Sequence, residues 1–197
     1  REYRPTGVVR RVSCTSSYDV PQTRPDPEED TYRKLSRPQN GAGLRVALLD
    51  FGAKRNIARS LAARGCQVTV YPAWTRAEEI LASRPDGIML SNGPGDPKEC
   101  TEIIREARSL YDSGVPIFAI CLGHQLMALA TGADTYRLKY GHRGGNHPVK
   151  ETETGRVYIS SQNHGYAVDP ASLDPAVAAE AFVNVNDGTN EGLRYLH

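Results

Sequence analysis

Residues 116–130, PIFAICLGHQLMALA, decide how this chain is read. The first five form a short apolar run of strand length, taken as a buried strand. From Gly123 onward, GHQLMALATG has the spacing of an apolar helix, closing on Gly132. Cys121 stands at the corner between them, a strand-to-helix turn that resembles a nucleophile elbow, in which a tight turn lifts the side chain out of the sheet. Gly123 permits close packing there. A helix beginning at this point presents free N–H groups and the positive end of its dipole, and such a site lowers a thiol from its usual pKa of about 8.5 and makes thiolate available. The competing reading is a buried cysteine acting as a small hydrophobe.

The same alternation runs outward from this corner. LRVALLDF (44–51), CQVTVYP (66–72) and DGIMLS (86–91) read as strands. KRNIARSLAARG (54–65), TRAEEILASR (75–84) and PKECTEIIREARSLYDSG (97–114) read as helices, the second with Thr75 and Glu78 at the capping-box spacing. Strands alternating with helices predict βαβ units and a mostly parallel central sheet with helices on both faces. Ligand sites in such sheets form beyond the carboxyl ends of the strands. Two of those ends carry unusual chemistry, CLGHQ (121–125) and SNGPGDP (91–97). The glycines of the second let backbone approach a ligand closely and offer bare N–H groups. One of them, with the N–H of Leu122, can converge on a developing oxyanion. The stretch lacks the G-K-[ST] ending of a phosphate loop, and an ordinary strand-to-helix turn would also explain it.

Composition narrows the classes. The 197 residues carry a formal net charge of +1, so no strong field points to nucleic acid or an anionic membrane. No apolar run approaches the roughly 18 residues that span a bilayer, and no secretory pattern opens the chain. The four cysteines, at 14, 66, 100 and 121, form no C-x-x-C pair and match no zinc spacing, which suits a reduced, cytoplasmic protein. Residues 1–43, rich in Pro, charge and Gly, are expected to be an extended arm or linker. The chain opens on Arg1, as expected for a piece of something longer.

SNGPGDP followed by AICLGHQ resembles the class I glutamine amidotransferase family. DFGAKRNIARSLAARGC (50–66), GHRGGNHPV (141–149) and SQNHGYAVD (161–169) narrow the likeness to the small-subunit family of carbamoyl-phosphate synthetase, over about residues 44–197. The resemblance implies a mostly parallel sheet followed by a mixed β segment, here 148–197, and places residues 1–43 at the end of an N-terminal domain and its linker. It implies that Cys121 is the nucleophile that forms a γ-glutamyl thioester with L-glutamine. It implies that Gly95 and Leu122 supply the oxyanion-hole N–H groups, and that Gly93, Gly95, Leu122, Gln125, Asn163, Gly165 and Tyr166 bind the substrate. The partner it implies is a large synthetase subunit, which receives ammonia through a tunnel. ATP and Mg are expected on that partner and no cofactor in this chain, which has no Walker motif. The product would serve arginine and pyrimidine biosynthesis.

One departure stands out. The family activates its nucleophile through a His-Pro-Glu motif, and none occurs in residues 1–197. The His and Glu partners are expected beyond this chain, which reads as stopping just before that segment. Of the five histidines, His124 is expected to be structural. His142 and His147 are expected to shape a Gly-rich loop rather than hold a metal, and no metal site is expected. His164, between Asn163 and Gly165, is not the family's base, and His197 is left unassigned. Other readings remain: an amidotransferase feeding a nucleotide or chorismate acceptor, a non-catalytic binding domain of the same fold, or a cysteine hydrolase. The last would need a histidine where Leu122 stands.

Overall fold

The computed structural model describes residues 7–21 and 43–196. Residues 1–6 and 22–42 of the expected arm, and His197, lie outside the described residues. The chain divides into two compact units, one of residues up to Gly95 with Ser109–Gly123, the other of Asp96–Arg108 with the residues from His124 onward.

The first unit is built on a five-stranded sheet in the order β1-β3-β2-β4-β5. β2 (Arg45–Asp50), β3 (Gln67–Pro72), β4 (Gly87–Leu90) and β5 (Ile117–Ala119) run parallel. The burial of β2 explains its sequence. Ala47, Leu48 and Leu49 are all buried, a continuous apolar run rather than an alternating one, as a strand covered on both faces requires. Leu48, Val68, Val70 and Met89 form a core with Ala62 and Cys66, closed by Ile57, Ala58 and Leu61 of α2 (Arg55–Ala62). Two short elements come from the stretch read as an arm. α1 (Val8–Val12) buries Val9, and β1 (Tyr18–Asp19) pairs antiparallel with β3.

Three local expectations change. The helix read from Thr75 is shorter: α3 (Ala77–Ala82) follows Arg76, with no side-chain cap. Thr75 stands one residue before that N-cap position, buried in a tight turn with its N–H donating to the Pro72 carbonyl at 3.0 Å. The long helix read over 97–114 is broken at its start. Asp96 caps a 3₁₀ turn, Pro97–Glu99, through the Lys98 N–H (3.0 Å), and α4 (Thr101–Asp112) follows. PIFAI is an edge strand rather than a fully buried one, with Phe118 67% exposed.

The second unit holds a four-stranded antiparallel sheet in the order β7-β6-β8-β9. Its strands are β6 (Asp134–Glu151), β7 (Val157–Asp169), β8 (Ala178–Asn184) and β9 (Asn190–Tyr195). The β segment therefore begins at Asp134, earlier than the expected 148. GHRGGNHPV is strand rather than loop, its glycines falling where the β6–β7 register shifts twice. His142 and His147 thus sit in β6. Ala128 of α5 (Leu122–Ala130), Ala133 and Val168 form this unit's core, with Leu173 and Leu193 against it. No helix among the described residues is long and apolar enough to cross a membrane.

Backbone packs closely at the start of α5. A Cβ added to Gly123 would stand 2.5 Å from the Leu90 carbonyl oxygen, inside the distance any side chain tolerates against backbone. Gly123→Ala is therefore expected to destabilise the fold by about 1–3 kcal/mol. Gly87→Ala, whose methyl would meet nothing nearer than the Pro116 oxygen at 3.7 Å, is expected to have little effect. Thermal melts of the two variants beside the unmodified chain check this, and equal melting temperatures would refute it.

Candidate functional site

In the first unit, four of the residues singled out by sequence come together at the carboxyl ends of β4 and β5. Cys121 lies between β5 and α5 with φ +52°, one of two non-glycine residues with positive φ among those described. A non-glycine residue in that region is strained, and such strain collects where function requires a particular backbone. The thiol is partly exposed. Leu122 is the first residue of α5, so its N–H precedes the intrahelical ladder. The Gly123 N–H donates to the carbonyls of Ile120 (3.0 Å) and Ser91 (3.1 Å), pinning the corner to the end of β4.

The loop after β4 is held by its own polar side chains. Ser91 Oγ accepts the Phe51 N–H (2.9 Å) and donates to the Asn92 carbonyl (2.8 Å). Asn92 Oδ1 accepts the Lys54 N–H at 3.0 Å, and its amide nitrogen donates to the Gly52 carbonyl at 3.2 Å. Gly93 is fitted between neighbours: an added Cβ would lie 2.3 Å from the Phe51 oxygen and 2.7 Å from a Leu122 methyl. Gly95 has room, its nearest neighbour being Val8 at 3.8 Å, but its φ of +100° disfavours any L side chain.

The other three cysteines sit in environments that suppress thiolate. Burial, then the Asp50 carboxylate, pushes the Cys14 thiol up to about 11. Burial, then the charges of Glu99 and Asp96, pushes Cys100 up to about 11. Burial raises Cys66.

The second unit holds Gln125, Asn163, Gly165 and Tyr166. Gln125 is buried on α5, and its amide nitrogen donates to the Tyr166 carbonyl at 2.7 Å. That carbonyl also faces His164 Nδ1 at 2.8 Å. Asn163 is on β7 opposite Arg143 of β6, and nothing lies within 4 Å of a Cβ added to Gly165.

Sequence reasoning missed the polar cluster beside these residues. His142 Nδ1 lies 3.0 Å from Glu191 Oε1, and its Nε2 lies 2.8 Å from Asp187 Oδ2. His164 Nε2 stands 3.2 Å from His142 Nδ1 and 3.3 Å from Glu191 Oε2. Asn184 donates its amide to Glu191 Oε1 at 3.1 Å. Burial opposes a charged His164, but Glu191 and the Tyr166 carbonyl outweigh it and raise the ring's pKa. Burial likewise opposes ionised Glu191, and contact with His164 and Asn184 brings its pKa below the usual range. The members come one from each of four strands plus a turn, so no spacing in the chain announces them. His124, read as structural, is held toward its neutral form by burial.

Comparison with known proteins follows the same lines. The carbamoyl phosphate synthase small chain of Symbiobacterium thermophilum is 50% identical over 196 residues, covering 99% of this chain and 48% of that relative. That of Rubrivivax gelatinosus is 56% identical over 152 residues, covering 77% of this chain and 39% of the relative. That of Bacillus anthracis is 49% identical over 203 residues, covering 99% and 55%. The chain thus spans about half the length or less of these relatives. Among solved structures, a putative GMP synthase protein from Thermoplasma acidophilum superposes with TM-score 0.67 at 20% identity, covering 78% of this chain and 79% of that one. A glutamine amidotransferase from Thermotoga maritima superposes with TM-score 0.61 at 18% identity, covering 77% and 71%. These two likenesses establish the fold. The model of the family described as glutamine amidotransferase class-I matches residues 47–197, and the chain belongs to that family.

Proposed function

We propose that this chain releases ammonia from L-glutamine for carbamoyl phosphate synthesis, with Cys121 as the nucleophile. The observation that carries the reading is the strained Cys121, φ +52°, immediately before α5. Half the residues being identical to carbamoyl phosphate synthase small chains over nearly the whole chain supports that acceptor over a nucleotide or chorismate.

The chemistry follows the geometry. The thiolate, favoured by the helix N-terminus, attacks the carboxamide carbon of glutamine. The tetrahedral oxyanion accepts hydrogen bonds from the N–H groups of Gly95 and Leu122. Collapse breaks the C–N bond, and the leaving nitrogen takes a proton and departs as ammonia, leaving a γ-glutamyl thioester on Cys121. Water then cleaves the thioester, releasing glutamate and restoring the thiol. Proton transfer in both steps belongs to a His-Glu pair in the family, from a His-Pro-Glu motif that residues 1–197 do not contain. Gly93, Gln125, Asn163, Gly165 and Tyr166 hold the substrate's charged α-amino and α-carboxylate groups with neutral polar atoms and backbone dipoles. The acceptor is a large synthetase subunit carrying ATP and Mg. The setting is the cytoplasm, and the product feeds arginine and pyrimidine synthesis.

Two experiments test this. With limiting iodoacetamide at mildly alkaline pH and peptide mapping, Cys121 is expected to be alkylated first, because burial suppresses thiolate at Cys14, Cys66 and Cys100. Earlier labelling of any other thiol would sink the nucleophile assignment. In the complete complex, Gly95→Ala is expected to lower glutamine-dependent synthesis by about 10²–10³, and Cys121→Ser to abolish it. Ammonia-dependent synthesis should persist in both, since free ammonia bypasses this site. Parallel loss of the two activities would make Gly95 and Cys121 structural residues.

A further inference from the structure

His142, His164 and Glu191 present one ligand atom each toward a common point, from β6, β7 and β9. Hydrogen bonding at their far sides sets what they present. The Tyr166 carbonyl, which can only accept, faces His164 Nδ1 at 2.8 Å, so in the neutral ring that nitrogen carries the hydrogen and Nε2 is the bare lone pair. The Asp187 carboxylate, also an acceptor, faces His142 Nε2 at 2.8 Å, and in the tautomer that donates to it the bare lone pair is on Nδ1. The two nitrogens lie 3.2 Å apart, with Glu191 Oε1 3.0 Å from His142 Nδ1 and Glu191 Oε2 3.3 Å from His164 Nε2. Three acceptors therefore converge. The nearest neutral donor, the Asn184 amide, is committed to Glu191 at 3.1 Å and reaches His142 Nδ1 only at 3.5 Å.

Such a convergence calls for a cation at its centre. The 3.2 Å between the two nitrogens is close to a metal's ligand spacing: ligands about 2.0–2.1 Å from a tetrahedral zinc are about 3.3–3.4 Å from one another. Two imidazoles and one carboxylate form a borderline-soft set that suits zinc and not magnesium or calcium. The outer contacts have the form that orients zinc-bound histidines, one ring held by a carboxylate and the other by a backbone carbonyl. All three side chains are shielded, at 11%, 9% and 6% exposure.

We infer that His142 Nδ1, His164 Nε2 and the Glu191 carboxylate form a zinc site that ties β6, β7 and β9 together. The site stands independently of glutamine hydrolysis, because its test reads metal and not activity.

The full chain, stripped with a chelator and dialysed against zinc, is expected to retain one equivalent, and cobalt in its place to give the visible absorption of a tetrahedral centre. Asp187→Asn should weaken zinc binding by about 10–100-fold, and His142→Ala and Glu191→Gln by more. Far-ultraviolet circular dichroism verifies that each variant is folded. As a measurement needing no variant, imidazole nitrogen spectra of the unmodified chain should show zinc displacing the signals of His142 Nδ1 and His164 Nε2. Failure to retain zinc, retention unchanged in His142→Ala and Glu191→Gln, or imidazole signals indifferent to zinc would each overturn the assignment.

Discussion

The contact on which the first unit depends is the approach of Gly123 to the backbone of β4. A single methyl there would stand 2.5 Å from the Leu90 oxygen. Because the chain is pressed that closely against β4, α5 can start with only two residues between it and β5. The turn is then too short for ordinary backbone angles, and Cys121 takes the left-handed conformation that glycine normally fills. Strain of this kind, on the order of 1–3 kcal/mol, persists only where its surroundings over-determine it. Here they do: the Gly123 N–H is held by both Ile120 and Ser91, and Leu122 is fully buried beside Gly93. Packing around the corner thus fixes the backbone that carries the thiol.

Ser91 and Asn92 extend the same logic to the neighbouring loop. Both turn their side chains to the backbone that follows β2, so the ends of β2 and β4 are cross-braced by three hydrogen bonds of 2.9–3.2 Å. A loop braced in this way can hold Gly95 at φ +100° while leaving its N–H uncommitted to any ladder.

The alternation of strand and helix was legible between residues 44 and 132, because buried parallel strands read as continuous apolar runs and amphipathic helices as 3.6-residue patterns. The corner at Cys121 was legible for the same reason: period, length and Gly123 all change together. What misled was chemistry with two uses. Thr75 and Glu78 have capping spacing, but Thr75 is drawn into the turn that ends β3. The glycines of GHRGGNHPV suggested a loop, yet in an 18-residue strand they mark bulges. PIFAI looked buried because a short apolar run does not say whether it lies inside a sheet or at its edge. The cluster around His142 could not have been found at all, since Glu191 lies 49 positions from His142 and meets it only through sheet geometry.

The short edge strand β1 has a kinetic consequence. It pairs with β3 through two residues, reinforced by the Thr69 hydroxyl donating to Asp19 at 2.7 Å across a sequence separation of 50. Closing so long a loop costs entropy that two paired residues offset poorly, which puts this edge among the first parts of the sheet to open. Cys14 lies just before β1, its N–H donating to Asp50 at 2.8 Å. When the edge detaches, the thiol leaves both the burial and the carboxylate that hold it near 11, and recovers the reactivity of an exposed cysteine. Its alkylation rate is then the product of an opening equilibrium and an ordinary chemical rate, so Cys14 reports the breathing of an edge that the equilibrium structure shows closed.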